Sequence, residues 1–161
     1  MLIKSLLSKP VEALLQEAVH AELYAAHLYR HVANQSQKLG YFGAHKHFLA
    51  ASAEETGHYQ KHAQFLNDSG SVAKLPAIEA IDEAVMSLAD ALEIAYETEL
   101  QLGKDYERWY AGSDPTTQQH LLTFLAEQRE SVGKYADWLA RLARAGSNEA
   151  AILIIDTELG A

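Results

Sequence analysis

Residues 53–58 read Ala-Glu-Glu-Thr-Gly-His and lie near the middle of a stretch whose apolar residues recur at helical spacing. On such a helix, Glu55 and His58 fall on the apolar side, in line with Phe48 and Ala51. An unpaired ionised carboxylate in a helix core is costly, so such a group is normally paired, protonated or bound to a metal. The fold is therefore expected to bring partners to this stretch.

The composition limits the kinds of site that the chain can build. Its 161 residues are 48% apolar and 22% charged, which favours one globular domain, residues 1–161, with its own core. Because cysteine is absent, any metal would be held by nitrogen and oxygen ligands. The net charge of −9 disfavours nonspecific nucleic-acid binding. No apolar run approaches membrane-spanning length, and residues 1–8 are too short for a secretory signal, so we expect a cytoplasmic protein without a membrane partner.

Prolines and glycines divide the chain into helical stretches, and strand signals are nearly absent. The predicted helices run from Ser8 and Pro10 to Leu39-Gly40, from about Tyr41 to residues 67–70, from near Asp82 to Ala111-Gly112, and from a cap at Ser113 or Asp114 to Ala145-Gly146. Residues 148–159 fit either a short fifth helix or a strand, and their periodicity does not decide between the two.

The lengths of the connections between the helices indicate the topology of the bundle. Tight turns join helices one and two and helices three and four, so each pair is expected to be antiparallel. The breaker-rich segment from Asp68 to Ile81 could reach roughly 45 Å when extended, whereas a helix of about 27 residues is roughly 40 Å long. We therefore predict an all-α four-helix bundle over about residues 9–145, with one long crossover between helices two and three. An up-down-up-down bundle would need only a short loop there.

Each predicted helix has a ligand-type residue in the middle of its apolar stripe. At about 1.5 Å per residue, Glu22 and Glu55 lie equally far from the turn that joins their helices, to within about one helical turn. The same holds for Glu99 and Gln128. Charges that meet at one depth in a core need a cation, and several carboxylates with one histidine suit iron or manganese better than structural zinc. Glu55 is placed to bridge two metals. The interrupting residues are Glu22 in helix one, Glu55, His58 and His62 in helix two, Glu99 in helix three, and Glu127 and Gln128 in helix four.

A lone Glu-x-x-His on a helix is common and is usually solvated or an ordinary side-chain pair. Four interruptions at a matching depth are harder to explain without a metal, and they favour a site for two ions.

These residues resemble the ferritin family, specifically its bacterial non-haem members. The segment 21–24 (Ala-Glu-Leu-Tyr) with Tyr29, the Glu54 to His58 motif, Glu99 and the segment 124–128 (Phe-Leu-Ala-Glu-Gln) occur in the family's order, and residues 155–159 resemble its short terminal helix. The resemblance implies a ferroxidase centre with Tyr29 hydrogen-bonded beside it. The implied ligands are Glu22, Glu55 and His58 for site A, Glu55, Glu99 and Gln128 for site B, and Glu54, Glu127 and Glu130 for a third iron site.

The resemblance also implies an activity. Two ferrous ions would be oxidised by O2 or peroxide and stored as a ferric mineral inside a homo-oligomeric shell of twenty-four subunits. Thr56 stands where the methionine that binds haem in bacterioferritin is expected, so no haem is implied.

Two other classes of function remain open at this point. One is a small di-iron peroxidase or oxidase without storage, similar to rubrerythrin, although a second Glu-x-x-His and the rubredoxin-type cysteines are missing. The other is a non-enzymatic helical bundle that binds a partner protein. His20, His27 and His31 share one face of helix one, where we expect solvated or interface residues rather than an ion site.

Overall fold

The computed structural model describes residues 4–161, which form five α-helices and no strands. Residues 1–3, on which part of the expectation about a secretory signal rests, lie outside the described part. The helices are α1 (Lys9–Leu39), α2 (Phe42–Asp68), α3 (Leu88–Ala111), α4 (Pro115–Ala145) and α5 (Glu149–Leu159). None of the helices within residues 4–161 is long and apolar enough to cross a membrane.

Local signals define most helix ends. Ser8 accepts a hydrogen bond from the Val11 amide at the start of α1, and Gly40 ends that helix in the left-handed conformation, with φ of 86°. Asp114, rather than Ser113, caps α4 by accepting hydrogen bonds from the amides of Thr116 and Thr117.

The predicted start of the third helix near Asp82 is wrong, because α3 begins at Leu88. Ser87 accepts a hydrogen bond from the Asp90 amide at 3.1 Å, and the Asp90 carboxylate accepts one from the Met86 amide at 2.8 Å. This reciprocal cap fixes the helix start, so the residues before it remain in the crossover.

The long crossover between α2 and α3 is confirmed and follows α1 along its length. Near its beginning, Lys74 donates its backbone N–H to Gln16 at 2.9 Å. Near its end, the carbonyl of Glu83 lies 2.8 Å from His31 Nε2. Gln16 and His31 are about 22 Å apart along the helix at its usual rise. The crossover therefore takes the chain from one end of the bundle to the other.

The bundle contains two apolar clusters at different depths. One surrounds Tyr29, Phe48 and Tyr135, and the other surrounds Tyr106 and Phe124. Each of the four long helices passes from one cluster to the other, and its buried ligand-type residues lie at that passage. These residues are Glu22, Glu55, His58, Glu99 and Gln128.

The last helix, α5, is docked on the start of α2. No side chain of α2's own N-terminal turn caps that helix. Instead, the Asp156 carboxylate accepts hydrogen bonds from the amides of Gly43 and Ala44, at 3.0 and 2.7 Å. The contact requires glycine at position 43, where a Cβ atom would lie 1.7 Å from the Asp156 carbonyl oxygen. The structure thus resolves the choice left open for residues 148–159 in favour of a helix.

The substitution Asp156→Ala should destabilise the protein by about 1–3 kcal/mol, since it leaves two amides at the α2 N-terminus without a partner. Urea denaturation of the purified variant measures the loss. Glu158→Ala is the matched control on α5, because it removes only the half-exposed ion pair with Arg141 and should cost less than about 1 kcal/mol. Equal stabilities for the two variants would contradict the capping role.

Candidate metal centre

Three of the predicted ligands meet in the space between α1 and α2. Glu22, Glu55 and His58 are buried, and each offers a ligand atom within 4.8 Å of the other two. His58 Nδ1 lies 2.8 Å from Glu55 Oε2 and 3.7 Å from Glu22 Oε1. Carboxylate oxygens and one imidazole nitrogen at these separations form a suitable site for a divalent transition metal.

The second hairpin contributes Glu99 from α3 and Gln128 from α4, both buried. Glu99 lies outside the group of three, although its pKa responds to the charge of Glu55. One oxygen of Glu99 accepts a hydrogen bond from the Tyr29 hydroxyl. The structure therefore places Tyr29 against one of the predicted ligands and brings Glu99 beside the group of three.

Several buried oxygen atoms of the predicted ligands have no hydrogen-bond partner. Within residues 4–161, buried side-chain atoms that lack a hydrogen-bond partner are rare, and each needs an explanation. All but one of them, the Ser36 hydroxyl, belong to predicted ligand residues: Glu22 Oε2, Glu99 Oε2, Glu127 Oε2 and Gln128 Oε1. The oxygens of Glu22, Glu99 and Gln128 come from three helices and have no protein donor, whereas Glu127 Oε2 lies 3.2 Å from His58 Nε2 without forming a hydrogen bond. A bound cation would satisfy them.

Burial shifts the protonation of the carboxyl groups. It raises the pKa of Glu55, with the charge of Glu22 adding to the effect, although the hydrogen bond from His58 opposes it. Burial and the charge of Glu55 likewise raise the pKa of Glu99 to about 8. For His58, burial lowers the pKa, but hydrogen bonds to Glu22 and Glu55 outweigh it and raise the pKa overall. Protons thus occupy the positions that a metal would take, so metal binding must release them.

The residues of the predicted third site lie around this centre and are less enclosed. Glu127 Oε2 lies 3.2 Å from His58 Nε2, on the side of the ring away from Glu55. Glu54 and Glu130 are exposed, although the charge of Glu54 is among the causes that raise the pKa of Glu99. The structure therefore brings Glu127 to the centre and leaves Glu130 at the surface.

Sequence reasoning missed Tyr106, whose hydroxyl donates a hydrogen bond to Glu22 Oε1. Tyr106 lies two turns beyond Glu99 on the apolar stripe of helix three, and this shared stripe is the signal that the sequence offers. His62 was noted as a stripe interruption, but its ring nitrogens contact Tyr106 and His120 rather than the ligand group.

The helix-one histidines do not form a metal group in the described residues. His27 Nδ1 lies 2.8 Å from the carbonyl of Leu23 on its own helix, and His31 contacts the crossover. His20 lines a separate cavity between α1 and α3.

Buried glutamates and a histidine that project inward from the helices of one bundle define a helical-bundle metal-carboxylate protein. The family model of the ferritin-like domain matches residues 12–145, and the chain belongs to the ferritin family, whose members store iron.

Individual relatives agree with this membership. The chain is 29% identical over 163 residues to a probable bacterial non-heme ferritin-like protein of Haemophilus influenzae, with 96% of each chain covered. It is 30% identical over 129 residues to a bacterial non-heme ferritin of Campylobacter jejuni, covering 78% of this chain and 77% of that protein. Among solved structures, an open pore ferritin from Archaeoglobus fulgidus superposes with a TM-score of 0.92 at 27% identity, covering 95% of this chain and 97% of that one.

The raised pKa of Glu99 predicts that this carboxyl group destabilises the metal-free protein when it is ionised. A carboxyl group with a folded-state pKa of about 8 and an unfolded value near 4.5 stabilises the fold most below pH 4.5, and this contribution is lost as the pH rises towards 8. In chelator-treated protein, Glu99→Gln should therefore raise the free energy of unfolding at pH 8 by about 1–3 kcal/mol, with little change at pH 5. Urea denaturation at the two pH values measures this.

The matched control is Glu97→Gln, which lies on the same helix but is exposed. It should change stability by less than about 0.5 kcal/mol at both pH values. If the Glu99→Gln protein is no more stable than the parent at pH 8, the claim that ionised Glu99 is buried without sufficient partners is wrong.

Proposed function

We propose that the protein is an iron-storage ferroxidase that oxidises Fe(II) to Fe(III) at a di-iron centre. The observation that supports this most directly is the set of unpartnered buried oxygens on Glu22, Glu99 and Gln128, which belong to three helices and lie between the two apolar clusters. Membership in the ferritin family supplies the substrate, ferrous iron.

Each side chain has a distinct role in this proposal. Glu22, Glu55 and His58 hold one ferrous ion in site A, while Glu55, Glu99 and Gln128 hold the second in site B. Glu55 bridges the two sites in this proposal, because its Oε2 lies 2.8 Å from His58 Nδ1 and its charge raises the pKa of Glu99. The tyrosine hydroxyls on Glu22 and Glu99 each hold one carboxylate oxygen and leave the other free for the metal.

The chemistry follows from the ligand set. Hard carboxylate oxygens favour Fe(III) over Fe(II), so two ferrous ions side by side are readily oxidised by O2 or peroxide. Glu54, Glu127 and Glu130 form the third iron site, and their greater exposure suits a path by which the ferric product leaves the centre. Thr56 provides no haem ligand, and the proposed function needs no haem. A cytoplasmic location remains a prediction from the sequence.

The Glu55→Ala variant tests the oxidase function. It should bind fewer ferrous ions and lower the initial rate of aerobic Fe(II) oxidation by about tenfold or more, since both metals lose a ligand. Stopped-flow absorbance of ferric species measures the rate. Glu97→Ala, a substitution of an exposed glutamate near the same level, should oxidise iron as the parent does.

An anaerobic Fe(II) titration counts the ions. We expect at least two per chain for the parent and Glu97→Ala proteins. Zero or one ion per chain would overturn the di-iron centre, and equal oxidation by the Glu55→Ala and parent proteins would overturn its role as the oxidase site.

Assembly distinguishes storage from a small di-iron oxidase. Exposed apolar side chains suit subunit contacts, and they occur on the crossover at Val72 and Leu75 and on α5 at Leu153 and Ile154, each more than half exposed. We expect size-exclusion chromatography with light scattering to give a homo-oligomer of about twenty-four chains, as the resemblance implies. A monomer or dimer that still oxidises iron would favour the small oxidase, and an assembly that neither binds nor oxidises iron would favour a non-enzymatic bundle.

A further inference from the structure

A row of three polar side chains lies behind Glu22 and crosses the apolar cluster around Phe124. The Tyr106 hydroxyl donates a hydrogen bond to Glu22. His62 Nε2 lies 2.7 Å from the same hydroxyl, and His62 Nδ1 lies 3.0 Å from His120 Nε2. Because these residues belong to three different helices, the row is created by the tertiary fold.

The inner part of this row is sealed from water. Tyr106 and His62 are both 0% exposed. The Phe124 ring covers them, with its centroid 4.3 Å from that of His62 and 5.4 Å from that of Tyr106. Polar groups in such surroundings are costly unless they are hydrogen-bonded to one another, as these are.

The outer end of the row reaches the surface. His120 is only partly buried, and it lines an open cavity of about 470 Å³ between α2 and α4, together with Lys61 and Asp68. The row therefore connects the interior of the metal centre to solvent at a single defined place.

The surroundings of both imidazoles favour the neutral form. Burial lowers the pKa of His62 well below its usual value, and burial with the charge of Lys61 lowers the pKa of His120 to about 4. A neutral imidazole has one nitrogen that donates and one that accepts, and a tyrosine hydroxyl does both. The donor and acceptor of every hydrogen bond in the row can therefore exchange roles together.

We propose that Tyr106, His62 and His120 conduct protons from the iron centre to the surface cavity. This proposal rests on the proposed function, since hydrolysis of water by the ferric product releases protons inside the bundle. Because the Tyr106 hydroxyl donates to Glu22 in the structure, it first rotates towards His62 Nε2, and each imidazole carries its proton on Nδ1. A proton released beside Glu22 then passes to the Tyr106 oxygen, and the hydroxyl proton of Tyr106 passes to His62 Nε2. The Nδ1 proton of His62 then passes to His120 Nε2, and the Nδ1 proton of His120 passes to water in the cavity.

One proton enters and one leaves in this transfer, no residue keeps a charge, and no electron moves. The Tyr106 hydroxyl then points to Glu22 again, as in the structure. Its rotation towards His62 and the return of both imidazoles to the tautomer with the proton on Nδ1 prepare the next transfer.

A second tyrosine–histidine pair provides an internal control. His47 Nε2 lies 3.0 Å from the Tyr135 hydroxyl, and burial with the charge of Lys134 lowers the pKa of His47 to about 4, as for His120. Within the described residues, however, Tyr135 forms no hydrogen bond to a predicted ligand. His47 therefore matches His120 in its partial burial and lowered pKa, but it stands outside the path from Glu22.

The experiment mixes the oligomeric protein with Fe(II) aerobically in a stopped-flow instrument and follows ferric absorbance and a pH indicator together. His120→Phe should slow proton release by about tenfold and increase its solvent isotope effect, since the outer carrier is lost. His47→Phe should behave as the parent does. Imidazole added to His120→Ala should restore the rate, because it enters the open cavity at the vacated position.

The outcomes separate this path from the function on which it rests. If the parent oxidises no iron, the proposed function fails and the path fails with it. If the parent oxidises iron but His120→Phe and His62→Phe release protons at the parent rate, only the path is overturned. It is also overturned if imidazole gives no rescue in a His120→Ala protein that binds Co(II) as the parent does, since the residues would then act only through packing.

Discussion

The structure depends on carboxyl groups that are buried in the core of a bundle without enough protein donors. Glu22, Glu55 and Glu99 lie between two apolar clusters, and one oxygen on each of Glu22 and Glu99 has no partner. Such groups destabilise a metal-free core, so the packing above and below them must hold the helices in register. The two apolar clusters provide this support, and under the proposed function a bound cation neutralises the carboxylates.

Two tyrosines orient carboxylates of the centre. Tyr29 donates its hydroxyl to Glu99 and Tyr106 donates its own to Glu22, so the first carboxylate of each hairpin is held at one oxygen by a rigid, buried ring. The remaining oxygen of each carboxylate is left with a fixed direction. Such an arrangement loses little side-chain freedom when a metal binds, which favours affinity.

The sequence predicted the bundle, the crossover and the level of the polar layer, because these follow from helical period, breaker positions and the rise per residue. Glu22, Glu55, His58, Glu99 and Gln128 were found in this way, since each interrupts an apolar stripe. The start of α3 was misplaced because apolar residues such as Val85 continue the helical pattern into the crossover, whereas the reciprocal cap at Ser87 and Asp90 determines the boundary.

Other features could not be predicted from local patterns. The hydrogen bond from Tyr106 to Glu22 and the contact between His62 and His120 join residues that are 84 and 58 positions apart. A tyrosine or histidine on an apolar stripe gives no sign of which distant polar atom it will meet. The contact of Asp156 with the start of α2 is hidden for the same reason, since an acidic residue near a chain end is usually solvated.

That last contact has a consequence for synthesis of the chain. Helix α2 holds Glu55 and His58, yet its first amides are satisfied only by Asp156, which lies 113 residues after Gly43. Asp156 is therefore synthesised after all four long helices. The amides of Gly43 and Ala44 at the start of α2 lack this partner until α5 has been made, so the helix that holds Glu55 and His58 becomes fully capped only late in translation.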